Sequence, residues 1–205
     1  MVLIHASEKK LQHFANIKQV TYYKPRGIWY ASDDSWVKTT HNKKYKYFYR
    51  IEVFYTTLVS ESDKKSVLHI GRDDKCLELI YKYGYVNPKG KGGMLLLDWV
   101  KIGKDYGGIE FESPLKYLDN HLFKDSKLVA EFKLHGLNVT TNTLNGIWCE
   151  NYDQKTSGCV WNRSAIRSFF AIDRYEVDLV GKYDEHYLQL IRRRKKGQTH
   201  KIIDK

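Results

Sequence analysis

The chain opens on a short apolar run, VLIHAS over residues 2–7, whose first four positions predict a buried strand ending at His5. Leu11, Phe14, Ala15 and Ile17 then recur at helical spacing, so residues 8–18 predict a short helix with Ser7 as its N-cap. Alternation returns next. Residues 27–31 read as an apolar, aromatic strand. Residues 46–56 read as one long β-rich stretch in which Tyr47, Tyr49, Ile51, Val53 and Tyr55 share a face. Residues 66–70 suit another strand, followed from Arg72 by a helix with Cys76, Leu77, Ile80 and Tyr81 on one side and a stop near Gly84.

The middle of the chain is more broken. NPKGKGG at 87–93 predicts a flexible loop of the kind that can cover a cleft; it lacks the Gly-Lys-Ser/Thr ending of a phosphate-binding loop. Residues 98–105 suit a short helix ended by Gly107 and Gly108, and 109–111 a strand carrying Glu110. Pro114 opens a helical stretch to 123; 158–161 reads as a strand, 164–170 as a turn or short helix, and 175–179 and 187–191 as final strands. The order of elements predicts an α+β fold with mainly antiparallel, twisted sheet and a few short helices.

Composition narrows this picture. With 205 residues, 42% hydrophobic and 14% aromatic, the chain is not of disordered type, and no linker or repeat divides it. One domain over 1–190 and a basic tail over 191–205 are expected. The net charge is +11, and Arg192, Arg193, Arg194, Lys195 and Lys196 form one block that suits phosphate contact, nuclear import or plain solubility.

Three cysteines, Cys76, Cys149 and Cys159, are too few for a disulfide framework, and no Cys-x-x-Cys pair seeds a zinc site. No signal-peptide pattern and no run of eighteen apolar residues occurs, so an intracellular protein of cytoplasm or nucleus with no membrane partner is expected. The triplets at Asn138 and Asn162 match the glycosylation pattern, which carries no weight in such a chain. There is no Gly-x-Ser-x-Gly elbow and no His-Glu-x-x-His among the eight histidines, which removes the serine-hydrolase and zinc-peptidase signatures.

Three segments carry a family pattern. VLIHAS leads into EKKLQHFANI; KPRGIWYAS at 24–32 is followed by Asp33, Asp34, Ser35 and Trp36; SGCVWNRSAI covers 157–166. Together they resemble divergent ADP-ribosyltransferases of the His-Tyr-Glu type, in the toxin-like or RNA phosphotransferase-like branches, over about three-quarters of the chain. The resemblance implies NAD as substrate and a cleft between the His5 strand and the 27–32 strand. It implies that His5 and Ser32 anchor the nicotinamide ribose, that Tyr30 stacks on nicotinamide, and that Ala6, Ser7, Trp29 and Trp36 line the pocket. The family's last strand opens on a catalytic glutamate, and Ser157 stands at that position here. A serine offers no anionic oxygen to a cationic transition state. Two rescues would supply a carboxylate, Glu110 on the 109–111 strand, the preferred source because a strand holds it firmly, or Glu150 or Asp153 on the preceding loop; a binding protein that has lost transferase chemistry fits Ser157 equally.

Glu110 and His5 are thus the catalytic candidates, with a protein or nucleic-acid acceptor, and the basic tail favours nucleic acid. The alternative is a non-catalytic nucleic-acid-binding module. In it the tyrosines of 46–56 would stack bases and residues 192–205 would track phosphate.

Overall fold

The computed structural model describes residues 2–35, 45–56, 66–71, 73–87, 94–111, 130, 132–134, 136 and 156–180. In chain order the elements are β1 (Leu3–Ser7), β2 (Ile28–Ser32), β3 (Tyr47–Val53), β4 (Tyr55–Thr56), β5 (Val67–Ile70), α1 (Asp73–Tyr83), β6 (Gly84–Asn87), β7 (Met94–Leu97), α2 (Trp99–Asp105), β8 (Gly108–Phe111), β9 (Ser157–Val160), β10 (Ile166–Ile172) and α3 (Arg174–Val180). Eight strands form one sheet in the order β10-β3-β1-β2-β9-β8-β5-β4, and β6 pairs with β7 alone. The pairs β4–β5 and β5–β8 are parallel and all other pairs antiparallel. The α+β, mainly antiparallel expectation therefore holds.

The large sheet closes on itself. Only Phe54 separates Val53 of β3 from Tyr55 of β4, yet those strands are second and last in the sheet order. Phe54 is tied on both sides, its N–H donating to the Ala165 carbonyl at 2.9 Å and its carbonyl accepting from Val67 at 2.7 Å. What reads as one stretch over 46–56 is two strands, one next to the β10 edge and one at the opposite edge of a curled sheet, joined by a one-residue break.

Strand alternation then sorts side chains into two faces. On the outer face, Leu68, Ile70, Ile109, Phe111, Cys159 and Trp161 pack against Leu79, Ile80 and Tyr83 of α1 and Trp99 and Ile102 of α2. Val2, Ile4, Ala6, Ala31 and Phe48 pack against Val177 and Val180 of α3. The inner face carries a third cluster of Leu3, Ile28, Tyr30, Ile51, Val53, Val67, Val160 and Ile166. Members from β3 and β5 meet in this cluster, which the closure of the sheet makes possible.

The helices have identifiable ends. α2 starts at Asp98, whose side chain accepts from the Lys101 N–H at 3.0 Å. α1 stops where a Cβ on Gly84 would lie 2.5 Å from the Ile80 carbonyl oxygen. The Tyr83 hydroxyl donates to Asp105 at 2.6 Å and so ties the last residues of α1 and α2 together; burial, then this carboxylate, pushes the phenol far above its usual pKa.

Three expected elements differ. Residues 8–18 are not helical. Leu11 and Phe14 pack on the inner cluster while Ile17 packs on the outer one, and a helix with one apolar stripe cannot serve both faces. The segment instead takes tertiary partners: Leu11 N–H donates to the Tyr49 hydroxyl at 2.7 Å, and Ile17 N–H to the Trp161 carbonyl at 2.8 Å. Ser7 caps no helix there; its Oγ accepts from Lys9 N–H at 3.3 Å. The expected strand at 175–179 is helix α3, because Val177 and Val180, not the alternate residues, are buried and Asp173 caps the Glu176 N–H at 2.7 Å. The expected turn or short helix at 164–170 is a 3-10 turn over Arg163–Ala165 that leads straight into β10.

Candidate functional site

A single row of inner-face residues crosses the sheet. Glu110 of β8 pairs with Gly158 of β9 on one side and with His69 of β5 on the other, and Gly158 pairs with Tyr30 of β2. His5 follows the Ile4↔Ala31 pair and stands opposite Tyr30 by continuation of that register; its other neighbour is Tyr49 of β3. Tyr49, His5, Tyr30, Glu110 and His69 thus share one row and one face.

Glu110 is fully buried. A carboxylate removed from water costs several kcal/mol unless hydrogen bonds replace the lost solvent. The structure provides them: the Tyr55 hydroxyl donates to Oε2 at 3.0 Å, and His69 Nδ1 lies 3.0 Å from Oε1. With Glu110 accepting, His69 carries its proton on Nδ1. Tyr55 and His69 also meet edge to face, with ring centroids 5.4 Å apart. Tyr55 is 45% exposed and the His69 side chain 31%, so this flank connects the buried carboxylate with solvent.

Tyr30 approaches Glu110 from the other side across Gly158. A Cβ on Gly158 would lie 2.5 Å from the Tyr30 hydroxyl, so glycine is what lets the ring lie over β9. The Tyr30 hydroxyl meets no partner at strict hydrogen-bond geometry, yet it stands close enough to Glu110 for the negative charge to oppose its ionisation. Burial first, and then Glu110, push its pKa well above the usual phenol value. Tyr30 is therefore a neutral, fully enclosed phenol beside the carboxylate.

His5 sits beyond Tyr30 in the row, next to Tyr49. Burial holds its pKa below 6.5, against the smaller opposing effect of its hydrogen bond to the backbone of Trp29. The neutral ring must donate from Nδ1 to the Trp29 carbonyl, 2.6 Å away, which leaves Nε2 with its lone pair as an acceptor. The pH consequence has a definite sign. A folded-state pKa below the unfolded value stabilises the fold fully above about 6.5, and that contribution is lost as pH falls through the lower folded value. We expect the melting temperature to fall between pH 7 and pH 5 and His5→Gln to flatten that fall; equal slopes for the two proteins would refute the assignment.

The sequence-predicted residues separate by face. His5, Ser7, Tyr30, Ser32 and Glu110 lie on the inner face, while Ala6 and Trp29 alternate to the outer face among the helix-covered clusters. A ligand on the inner face is not lined by their side chains. Trp36, Glu150, Asp153, Cys149, the 88–93 loop and the 192–205 tail lie outside the described residues. Ser157 is buried and shares the outer face with Ala31 and Phe111, turned away from Glu110. Ser32 is the buried last residue of β2, and its carbonyl accepts from Ser35 Oγ.

Strands β1 and β2 are hydrogen-bonded neighbours along Leu3–Ile4 and Ala31–Ser32, which leaves no gap between them there. A ligand that touches both must lie over them on the inner face. The tyrosines of 46–56 also fail to form one stacking surface: Tyr49 is buried against Phe169, with centroids 4.8 Å apart, and Tyr55 is held by Glu110.

Sequence reasoning missed His69 and Tyr55. They lie 41 and 55 residues from Glu110, and the only local signal was a lone histidine inside the apolar strand VLHI. Among the described residues no group of three or more His, Cys, Asp or Glu side chains is placed to hold a metal ion. No helix of the described residues is long and apolar enough to cross a membrane. Comparison of the chain with protein-family models, curated proteins and solved structures finds no match.

Proposed function

We propose that the chain is an NAD-binding domain of the ADP-ribosyltransferase type whose catalytic carboxylate is Glu110. The observation that carries this reading is the row His5, Tyr30, Glu110 on one inner face, across the consecutive strands β1, β2, β9 and β8. Three of these strands, β1, β2 and β9, are those on which the family resemblance rests, and they are neighbours in the sheet.

In this reading the neutral His5 accepts a ribose hydroxyl at Nε2. The bond between the ribose anomeric carbon and the nicotinamide nitrogen breaks, and nicotinamide leaves with the bonding pair. Glu110 stabilises the cationic carbon in a site that excludes water, where a fixed charge acts most strongly. A nucleophile of the protein or nucleic-acid acceptor forms the new bond and gives its proton to the Glu110–His69 pair. Contact between a ligand and the enclosed carboxylate requires Tyr55 and His69, the exposed flank of the row, to move aside. Tyr55 and His69 hold Glu110, and Tyr30 is too enclosed to stack on a ligand.

Binding of NAD to the folded state alone should raise its stability by about 2.7 kcal/mol at a hundredfold excess over Kd, or about 5–10 °C in melting temperature. Absence of any shift at millimolar NAD would overturn the reading. Labelled NAD, scored for hydrolysis and for label on protein or nucleic acid, then identifies the acceptor class.

A further inference from the structure

Residues 20–25 form a loop that leaves and re-enters the fold through a fastened neck. Gln19 is 6% exposed, and its side-chain amide grips both backbone groups of Arg26: Nε2 donates to the carbonyl at 2.7 Å, and Oε1 accepts from the N–H at 2.9 Å. The same Nε2 also donates to the Ile17 carbonyl at 3.3 Å. Gly103 of α2 makes room for it, since a Cβ there would lie 2.7 Å from Gln19 Cγ. Pro25 is buried, and its carbonyl faces Cys159 Sγ at 3.9 Å. Gly27 closes against β9, where a Cβ would meet Cys159 Sγ at 2.8 Å.

Beyond this neck two large aromatics stand in solvent. Tyr22 is 61% exposed and Tyr23 48%, their rings edge to face with centroids 5.6 Å apart. A disordered loop would present tyrosines without any special support. This one is anchored by a buried glutamine, a buried proline and two close-packed glycines, so the rings are displayed on a built base. Around them Lys18, Lys24 and Arg26 are exposed, and no Asp or Glu occurs between residues 18 and 26.

We infer that this loop is a stacking platform for single-stranded nucleic acid. Every base has a π-face that an exposed tyrosine can stack on, and the flanking cations match the spacing-tolerant charge of a phosphate backbone. Besides the exposed Val20, the loop offers two phenols flanked by three cations, with no carboxylate among residues 18–26, and that charge is complementary to a polyanion. The net charge of +11 adds long-range attraction for a polyanion. The platform is separate from the His5–Glu110 row and does not depend on NAD turnover.

The test uses the full chain and a fluorescent oligo(dT) or oligo(U), with binding read by anisotropy across a salt series. Tyr22→Ala with Tyr23→Ala should weaken binding about tenfold or more at constant salt, because base stacking is lost. Lys18→Gln, Lys24→Gln and Arg26→Gln together should lower the slope of log affinity against log salt by about 2. These are surface changes, and an unchanged melting temperature confirms that the fold is intact. Wild-type affinity in both variants, absence of binding by the parent chain, or loss only on deleting 192–205 would overturn the platform. Self-association that depends on the two tyrosines, without oligonucleotide binding, would overturn it in favour of a protein contact.

Discussion

Glu110→Gln is expected to lower NAD turnover about 10²–10³-fold, the usual loss when one electrostatic stabiliser of a transition state is removed, while NAD still raises the melting temperature. Glutamine keeps the shape and can still accept from the Tyr55 hydroxyl, so the fold should survive. What disappears, on the proposed reading, is the negative charge next to the reacting carbon. Single-turnover assays with labelled NAD, run beside a thermal-shift titration, separate the two effects. Unchanged turnover with intact binding would take the catalytic role from Glu110 and return it to Glu150 or Asp153. Loss of binding as well would make Glu110 a ligand-holding residue. His69→Gln provides the companion measurement: if the histidine passes the acceptor's proton, the acid limb of the pH–rate profile should move, and rate alone would not reveal that.

Gly158→Ala should be strongly destabilising although it adds one methyl group. The new Cβ would lie 2.5 Å from the Tyr30 hydroxyl and 2.8 Å from the Ile109 carbonyl oxygen, and neither can yield. One is main chain, and the other belongs to a ring with no exposed surface. Overpacking of this kind costs about 1–3 kcal/mol, several degrees in melting temperature for a chain of this length. The ring must tilt away from β9, so turnover should fall together with stability. Tyr30→Leu in the same chain should recover part of the stability, since a shorter side chain clears the new methyl group, and the pair would then show non-additive energies. A Gly158→Ala protein as stable as its parent would mean that Tyr30 does not lie over β9.

Much of the sheet was legible because its strands are short and apolar and bounded by turn residues. β1, β2, β5, β8 and β9 all fall close to the sequence-based spans, and so do α1 and α2, with their periodic faces and their stops at Gly84 and before Gly108. Glu110 was legible as a carboxylate on a strand. Its depth was not, since burial depends on β9 arriving between β2 and β8 from far along the chain. The 8–18 helix failed for a related reason. Its apolar spacing is real, but Leu11 and Ile17 serve opposite faces of a sheet whose closure no local pattern announces. Tyr47 to Tyr55 alternate correctly through the break at Phe54, so alternation gave no warning that the strand changes margins. The partners His69 and Tyr55 required knowledge of pairing across parallel strands, and parallel pairing leaves no signature within either strand.

The position of β9 also governs the order in which this chain can fold. Among the described residues it is the strand that pairs with both β2 and β8, joining β10-β3-β1-β2 to β8-β5-β4 on the side away from Phe54, and it is made of residues 157–160. In synthesis β2 and β8 are made before β9, so the edges that they present to it wait for a strand that follows both in the chain. Such long-range pairing makes closure slow, and exposed edges in the interval invite pairing between nascent chains. The strand that brings Tyr30 to Glu110 thus joins the sheet late, with only β10 after it among the described strands, and the buried carboxylate acquires its enclosure only then.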